Sequence, residues 1–302
     1  MARDLDTQLN KYLTDAHALE VQALAQMRSA PGIAGDPRLA AAFEAHLAET
    51  ERHEALIRER LEAREASPSK LEDLLGRISG KGFVLFAKAN PDTPGKLAAH
   101  AFSYEHLELA TYDLLERVAE RAHDQETAEV ARSIRADEDV MAARIAGLWD
   151  VTAALSGDDV EAYLADAHAL EAQAVELLER GKGAEIVGPL FQQHLGETRE
   201  HLRLVEALGA KSRLKDAALR LGGINWAGFF AAQPDTPAKL AAFAYAFEHL
   251  EIAGYEQLRR LGNPEAAALA ERILPDERAA AEKLYAAFGP ALNASLAAVV
   301  TA

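Results

Sequence analysis

The sequence contains no cysteine. Disulfides, thiolate zinc sites, cysteine-held iron–sulfur clusters, covalently attached haem and cysteine nucleophiles are therefore excluded. Basic residues are also few: 32 Lys and Arg stand against 48 Asp and Glu, which gives a formal net charge of −16. Because nucleic acids and anionic lipids are bound through basic surfaces, this balance predicts that neither nucleic acid nor membrane is a partner.

The sequence also lacks an uninterrupted apolar run of the roughly 18 residues that a membrane helix needs, and its N-terminus has no apolar segment typical of a signal peptide. We therefore expect a soluble, cytoplasmic protein. Glycine and proline are sparse, at 19 and 11 residues, while hydrophobic residues make up 49% of the chain. Alanine, the strongest helix former, supplies much of that fraction, so the composition predicts an all-α protein.

The chain is an internal tandem repeat. Three blocks occur in the same order in both halves: YLTDAHALEVQAL (12–24) returns as YLADAHALEAQAV (163–175), HLAETERH (46–53) as HLGETREH (194–201), and residues 91–117 as 234–260. Each copy spans about 145 residues, which is the size of a domain and not of a solenoid repeat. We place the two domains at residues 1–151 and 152–302.

Each copy contains four long amphipathic segments. Helices are predicted over 5–29, 37–64, 95–121 and 125–148 in the first copy, and over 158–181, 185–208, 238–261 and 264–288 in the second. Capping residues followed by proline mark several starts, as in Asp36-Pro37 and Asn263-Pro264. In each copy a connection of about 30 residues separates the second and third segments, and this is the ferritin-like connectivity. The prediction is two tandem ferritin-like four-helix bundles.

The two long crossovers carry bulky apolar residues, at 71–89 and 214–233. These stretches are predicted to form short extra helices. They are interpreted as a lid packed on each bundle, with a dimer or partner surface as the alternative.

Glutamates recur where an amphipathic helix should present apolar side chains to a core. Glu20, for example, lies in a stripe between Ala16 and Ala23. The candidates are Glu20, Glu49, Glu105, Glu108 and Glu138 in the first copy, and Glu171, Glu197, Glu248, Glu251 and Glu277 in the second. Such groups can protonate, pair with Arg or Lys, or bind a cation, since burying an unpaired carboxylate is costly. Few basic residues share these stripes, so metal binding is the simplest explanation.

Histidines support the metal hypothesis. Eight of the ten histidines fall in repeat-matched pairs. His53 and His201, four residues after the second-helix glutamate, are candidate ligands, and His46 and His194, three residues before it, are less certain ones. The remaining pairs, His17 with His168 and His106 with His249, are expected to support the ligands from behind. Carboxylate oxygens with some imidazole suit iron or manganese.

The motifs DAHALEVQ (15–22), HLAET (46–50) and Glu105-His-Leu-Glu108-xxx-Tyr112, with their second-copy counterparts, resemble the YciF-type ferritin-like family. That bacterial family is associated with stress responses and has no assigned function. The pattern is more distantly similar to rubrerythrins. The resemblance implies a carboxylate-bridged di-iron centre in each bundle, used for oxygen or peroxide chemistry. Tyr112 and its mate Tyr255 are interpreted as core aromatics.

By analogy with that family, Glu20 and Glu138 would be terminal or bridging ligands, Glu49 and Glu108 bridging ligands, and Glu105 a terminal or switching ligand, with the second copy repeating the set. The sequence departs from the usual pattern, which has Glu-x-x-His on the second and fourth helices. The histidine positions hold Arg52 and Met141 in the first copy, and Glu200 and Ala280 in the second. The number of metals per bundle, two, one or none, is left open.

Two functions remain. The leading one is a metal protein of oxidative or general stress defence that handles iron, oxygen or peroxide; whether it is an enzyme is left open. The alternative is a non-enzymatic helical stress or interaction protein whose vestigial site is metal-free. A storage cage is disfavoured because cages are built from identical subunits. The two bundles are expected to pack as an intramolecular pseudo-dimer, and further oligomerisation is left open.

Overall fold

A computed structural model describes residues 2–66, 93–157, 159–209 and 237–300. The chain divides into two compact units, Met1–Ser156 and Gly157–Thr301. Within the described ranges the regular structure is helical and no strand occurs, which confirms the all-α prediction. None of the helices in these ranges is long and apolar enough to cross a membrane.

The first unit is a bundle of four long helices. They are α1 (Ala2–Met27), α2 (Pro37–Ala63), α3 (Thr93–Arg121) and α4 (Gln125–Ala146), followed by the short α5 (Trp149–Leu155). Helix α1 packs against α2 and α3, and α4 packs against α3 and α2. Each of the four helices thus touches two others and turns one face to a common core.

The second unit repeats this arrangement. Its helices are α6 (Val160–Gly181), α7 (Gly188–Ala207), α8 (Pro237–Leu258) and α9 (Pro264–Val300), with the same pairwise packing. The two tandem bundles and their connectivity are those that the sequence predicts. The crossover stretches 71–89 and 214–233 lie outside the described residues, so the lid remains a prediction.

Side-chain caps fix several helix starts. Asp36 accepts hydrogen bonds from the backbone N–H groups of Arg38 and Leu39 at the start of α2. Asn263 accepts from the N–H groups of Glu265 and Ala266 at the start of α9. Both caps precede a proline, and both satisfy backbone donors that have no partner inside the helix.

The division between the units falls after Ser156, beyond the predicted 151/152 boundary. Helix α5 packs on α3 and so belongs to the first unit. Ser156 then caps the start of α3, since its Oγ lies 3.2 Å from the N–H nitrogen of Gly95. Ser295 does the same for α8, with its Oγ 3.1 Å from the nitrogen of Ala238. In each copy a serine at or near the end of the last helix therefore hydrogen-bonds the start of the third long helix.

Helix α9 continues to Val300, although the sequence predicts an end near residue 288. Pro290 lies inside the helix. A helix-interior proline removes one hydrogen bond and normally breaks the helix. Here Ala291 and Leu292 are fully buried, and the packing of this last stretch offsets the lost bond.

Candidate metal centre

Each unit buries a cluster of glutamates and histidines contributed by all four long helices. The first cluster comprises Glu20 of α1, His46 and His53 of α2, Glu105 and Glu108 of α3, and Glu138 of α4, each at most 1% exposed. The second cluster comprises Glu171, His194, His201, Glu248, Glu251 and Glu277, also buried. The structure therefore brings together eight of the ten predicted glutamates and all four candidate histidines.

In the first cluster one carboxylate is shared between two groups of ligands. Glu138 Oε2 lies 3.3 Å from His46 Nε2, and Glu138 Oε1 lies 2.9 Å from His53 Nδ1. On the first side His46 Nε2 is also 3.2 Å from Glu105 Oε2, and on the second His53 Nδ1 is 3.9 Å from Glu20 Oε1. The two groups whose ligand atoms all lie within 4.8 Å of one another are His46, Glu105, Glu108 and Glu138, and Glu20, His53 and Glu138.

The second cluster is arranged in a similar way around Glu277, except that Glu251 joins neither group of ligand atoms, unlike Glu108 in the first unit. Glu277 Oε2 lies 3.2 Å from His194 Nε2, and Glu277 Oε1 lies 2.8 Å from His201 Nδ1. Glu248 joins the His194 side and Glu171 the His201 side, which forms two groups that could each hold a metal ion. Each half of the chain thus contains buried His/Glu groups able to hold metal.

Every histidine of the clusters has an outer carboxylate behind it. In the first unit His46 Nδ1 lies 3.1 Å from Glu49 Oε2, and His53 Nε2 lies 3.1 Å from Asp137 Oδ2. A carboxylate on one ring nitrogen fixes the proton there and leaves a lone pair on the other nitrogen, as in metal-binding histidines. In both rings the nitrogen opposite the outer carboxylate faces the cluster.

The second unit keeps this arrangement with Glu197 behind His194, at 2.9 Å, and Asp276 behind His201, at 3.2 Å. The support of Asp137 and Asp276 differs, however. Arg52 holds Asp137 at 2.7 Å, whereas the residue at the Arg52 position in the second copy is Glu200.

The structure does not bring Glu49 or Glu197 into the clusters, although the sequence analysis assigns both as bridging ligands. Glu49 is part-exposed and contacts Arg144 at 3.3 Å as well as His46. It therefore supports a histidine from outside. Asp137 and Asp276, which have this same role, were missed because each precedes the core-facing glutamate and so falls outside the apolar stripe.

Burial shifts the ionisation of most cluster carboxylates toward the protonated form; Glu277 is the exception, since the two cluster histidines outweigh burial and lower its pKa to about 2. Desolvation, reinforced by Glu138, raises the pKa of Glu20 to about 8. Desolvation also raises the pKa of Glu108 well above its ordinary value. Burial alone would lower the pKa of His46, but Glu105 and Glu138 outweigh burial and raise it to about 10. Without metal, the clusters therefore retain protons at neutral pH.

Several carboxylate oxygens have no hydrogen-bond partner. Among the described residues, neither side-chain oxygen of Glu108 or of Glu251 is hydrogen-bonded. Within the same ranges, none of the eight buried cluster glutamates forms an ion pair with Arg or Lys. Buried polar atoms are normally satisfied, so these oxygens fit ligands of a cation and not a closed polar network.

Two tyrosines touch the clusters. Tyr112 OH donates to Glu20 Oε1, and Tyr255 OH donates to Glu171 Oε1. Both rings are fully buried, as core aromatics should be. Each hydroxyl also fixes the orientation of one cluster carboxylate. This contact is not predicted by the sequence.

The other paired histidines occupy structural positions. His17 Nε2 lies 3.0 Å from Glu54, and His168 Nε2 lies 3.4 Å from Glu206. The Nδ1 atoms of His106 and His249 each lie 2.7 Å from a backbone carbonyl one turn earlier in the same helix. Each of the four repeat-matched histidines outside the clusters thus has a hydrogen-bonding partner other than a cluster residue.

Comparison with known families supports the duplication. A family model described as a domain of unknown function (DUF892) matches the chain twice, over residues 4–155 and 160–297. The double match agrees with the tandem repeat and with the resemblance to the YciF-type family. No curated protein matches the chain.

Proposed function

The chain belongs to the DUF892 family, in two tandem copies, and since the description of that family states no function, we propose one from the clusters: each unit binds a carboxylate-bridged pair of iron or manganese ions. The protein would then act in oxidative or general stress defence through iron, oxygen or peroxide chemistry. The observation that carries this proposal is the carboxylate of Glu138, and of Glu277 in the second unit, whose two oxygens face different histidines.

The chemistry of the ligands supports iron or manganese. Each cluster offers four carboxylates and two imidazoles. Magnesium and calcium prefer oxygen ligands alone, whereas manganese and ferrous iron accept imidazole beside carboxylate. The outer carboxylates Glu49 and Asp137 hold the cluster-facing nitrogens of His46 and His53 in the form that binds metal.

The charge of each cluster supports two ions. Four glutamates carry four negative charges when all are ionised, and two divalent cations carry four positive charges, so the sum is zero with neutral histidines. Without cations, the described structure offers these glutamates no Arg or Lys partner, and ionising all four would be strongly disfavoured by desolvation and repulsion. A pair of ions removes this penalty.

The residues of each unit would prepare the site for redox chemistry, which the bound iron or manganese supplies. Tyr112 orients Glu20 by its hydrogen bond, and Asp137 fixes the proton of His53 on the outer nitrogen. Fully buried Leu13, Ile57 and Tyr112 keep water from the interior around the ligands. Because the chain has no cysteine, electrons would come from a partner protein or from ferrous iron itself.

Metal analysis of the purified chain tests the proposal. The protein is prepared without chelator or affinity metal, loaded anaerobically with ferrous iron or manganese, desalted and measured by mass spectrometry. The two groups per unit predict up to four ions per chain. The double variant Glu138→Ala/Glu277→Ala should lose them, while the matched control Glu129→Ala/Glu271→Ala, at exposed positions of the same two helices, should keep them. A metal content near zero in the folded wild-type protein after loading would overturn the proposal.

The metal-free helical protein is the second candidate function. It is favoured by the short contacts that the histidines form with the cluster carboxylates, from 2.8 to 3.3 Å. Protonated imidazoles could close these contacts as ion pairs. The same metal analysis separates the two candidates, because this alternative predicts no retained ions and an unchanged melting temperature on loading.

A further inference from the structure

The second cluster borders a solvent-open pocket. The pocket is small and partly open to solvent, and His194 and Glu248 of the cluster form part of its wall. Apolar side chains, among them Leu178 and Phe191, form most of the remainder. Two ligand-bearing side chains of this cluster therefore line a largely apolar pocket that is partly open to solvent.

The first unit has a larger residue at the corresponding place. The tandem alignment puts Met141 at the position of Ala280, which lines the pocket. Met141 is fully buried, and His46 is 1% exposed, whereas His194 is 6% exposed. Met141 thus adds bulk at the position where Ala280 lines the pocket.

One exchange goes in the other direction, since Leu190 stands where the first unit has Ala42. Leu190 is only half-buried, so much of its bulk lies toward solvent. It lines the pocket without closing it. Of these two exchanges, only the one between Met141 and Ala280 lies at positions that are buried in both units.

The size of the pocket and the charge of its lining determine which molecules can enter it. Its enclosed space is about that of one water molecule, so it suits only molecules of a few atoms. The exposed Lys283 lines it, and its positive charge disfavours the entry of cations while attracting small anions. Neutral molecules such as oxygen and hydrogen peroxide can cross apolar walls of this kind.

We propose that this pocket is the route by which small neutral or anionic molecules reach the metal ions of the second unit, and that Met141 closes the equivalent route in the first. The inference rests on the proposed function, because it assumes that the clusters hold metal. The two copies would then differ in function, because external small molecules would reach the metal ions of the second unit and not those of the first.

Thiol labelling tests the opening without any metal. Since the chain has no cysteine, a variant with one introduced cysteine carries a single thiol. Ala280→Cys places it on the pocket wall, and the control Ala270→Cys places it in the core on the same helix, at a fully buried position. Methyl methanethiosulfonate should modify Ala280→Cys at least about tenfold faster, because a core thiol reacts only on local unfolding. Equal rates in two folded variants would contradict an open pocket.

Azide binding tests the access role. The full chain is loaded with cobalt(II), and the visible spectrum is followed during titration with azide, a small anion that binds metal directly. In the wild type we expect the cobalt of one unit, half of the total, to respond. Ala280→Met should abolish the response, and Met141→Ala should extend it to the first unit.

The outcomes are distinguishable from failure of the proposed function. If the folded chain binds no cobalt, the proposed function fails and the access role fails with it. If cobalt binds and both units respond equally in the wild type, or if Ala280→Met leaves the response unchanged, the access role alone is overturned.

Discussion

Glu138 Oε1 lies 2.9 Å from His53 Nδ1, while the other oxygen of the same carboxylate faces His46. This single side chain joins two groups of ligands that would otherwise be separate. A bridging ligand and a terminal ligand should therefore differ in how many ions their loss releases.

We predict that Glu138→Ala, which removes the shared carboxylate, releases both ions of the first unit, and that Glu20→Ala, which leaves the His46 side complete, releases one. Ions counted per chain by mass spectrometry should fall from four to two and to three. The second unit serves as an internal control, since Glu277 and Glu171 are unchanged. Equal losses in the two variants would rule out Glu138 as the shared ligand.

The outer carboxylate Asp137 should tune metal affinity without being a ligand. Asp137→Asn replaces the charged acceptor of the outer His53 proton by a neutral amide, and mutation of such a partner lowers metal affinity by about 10–100-fold. The neighbouring exposed Asp139 offers a matched control, because Asp139→Asn removes the same charge from the surface. Competition with a chromophoric chelator measures the affinity. An equal effect of both substitutions would indicate a general charge effect and not support of His53.

The metal-free protein should lose stability as the pH rises from 6 to 9. Burial raises the pKa of Glu20 to about 8 and that of Glu248 to about 7, and for His201 its carboxylate neighbours, chiefly Glu277, overcome burial and raise the pKa to about 9. Each value exceeds that of the unfolded chain, so the folded state binds more protons. The stability that this gives is complete at low pH and is lost as the pH rises through about 7 to 9.

Calorimetry after chelation and dialysis measures this effect. We expect the melting temperature of the metal-free protein at pH 9 to lie about 4 °C or more below that at pH 6. The metal-loaded protein, whose ligands have already released their protons, should change less, and Glu20→Gln/Glu171→Gln should flatten the dependence. A melting temperature that rises over this interval would show that the clusters do not retain protons.

Ser295 should stabilise the second unit through the start of α8. Its Oγ accepts the hydrogen bond from the Ala238 N–H, and removing a cap of this kind costs about 1 kcal/mol. Ser295→Ala should lower the midpoint temperature at which the second unit unfolds in calorimetry. Ser133→Ala, at an exposed position of α4, should leave the midpoint temperatures of both units unchanged. No difference between these variants would show that water replaces the hydroxyl of Ser295.

The second helix shows what the sequence can and cannot predict about the site. Residues 46, 49 and 53 all carry potential ligands, and the apolar stripe is wide enough to include the three. With 3.6 residues per turn, His46 and His53 differ by about 20° around the helix, whereas Glu49 lies about 60° from His46. The spacing of the two histidines alone therefore contains the information that they share one face and that Glu49 lies beside it.

On the other three helices the predicted Glu20, Glu105, Glu108 and Glu138 are all buried in the core. The extent of α9 could not be predicted in this way. Gly289 and Pro290 oppose a helix locally, and only the packing of Ala291 and Leu292 in the folded bundle outweighs them.

The ligands of each cluster are divided equally between two helical hairpins. In the first unit α1 and α2 supply Glu20, His46 and His53, and α3 and α4 supply Glu105, Glu108 and Glu138. Neither hairpin can complete the site, so an ion held there links segments far apart in the chain and restricts the unfolded ensemble. In a protein without cysteine, such an ion would act as a reversible crosslink, with ligand exchange in place of thiol chemistry.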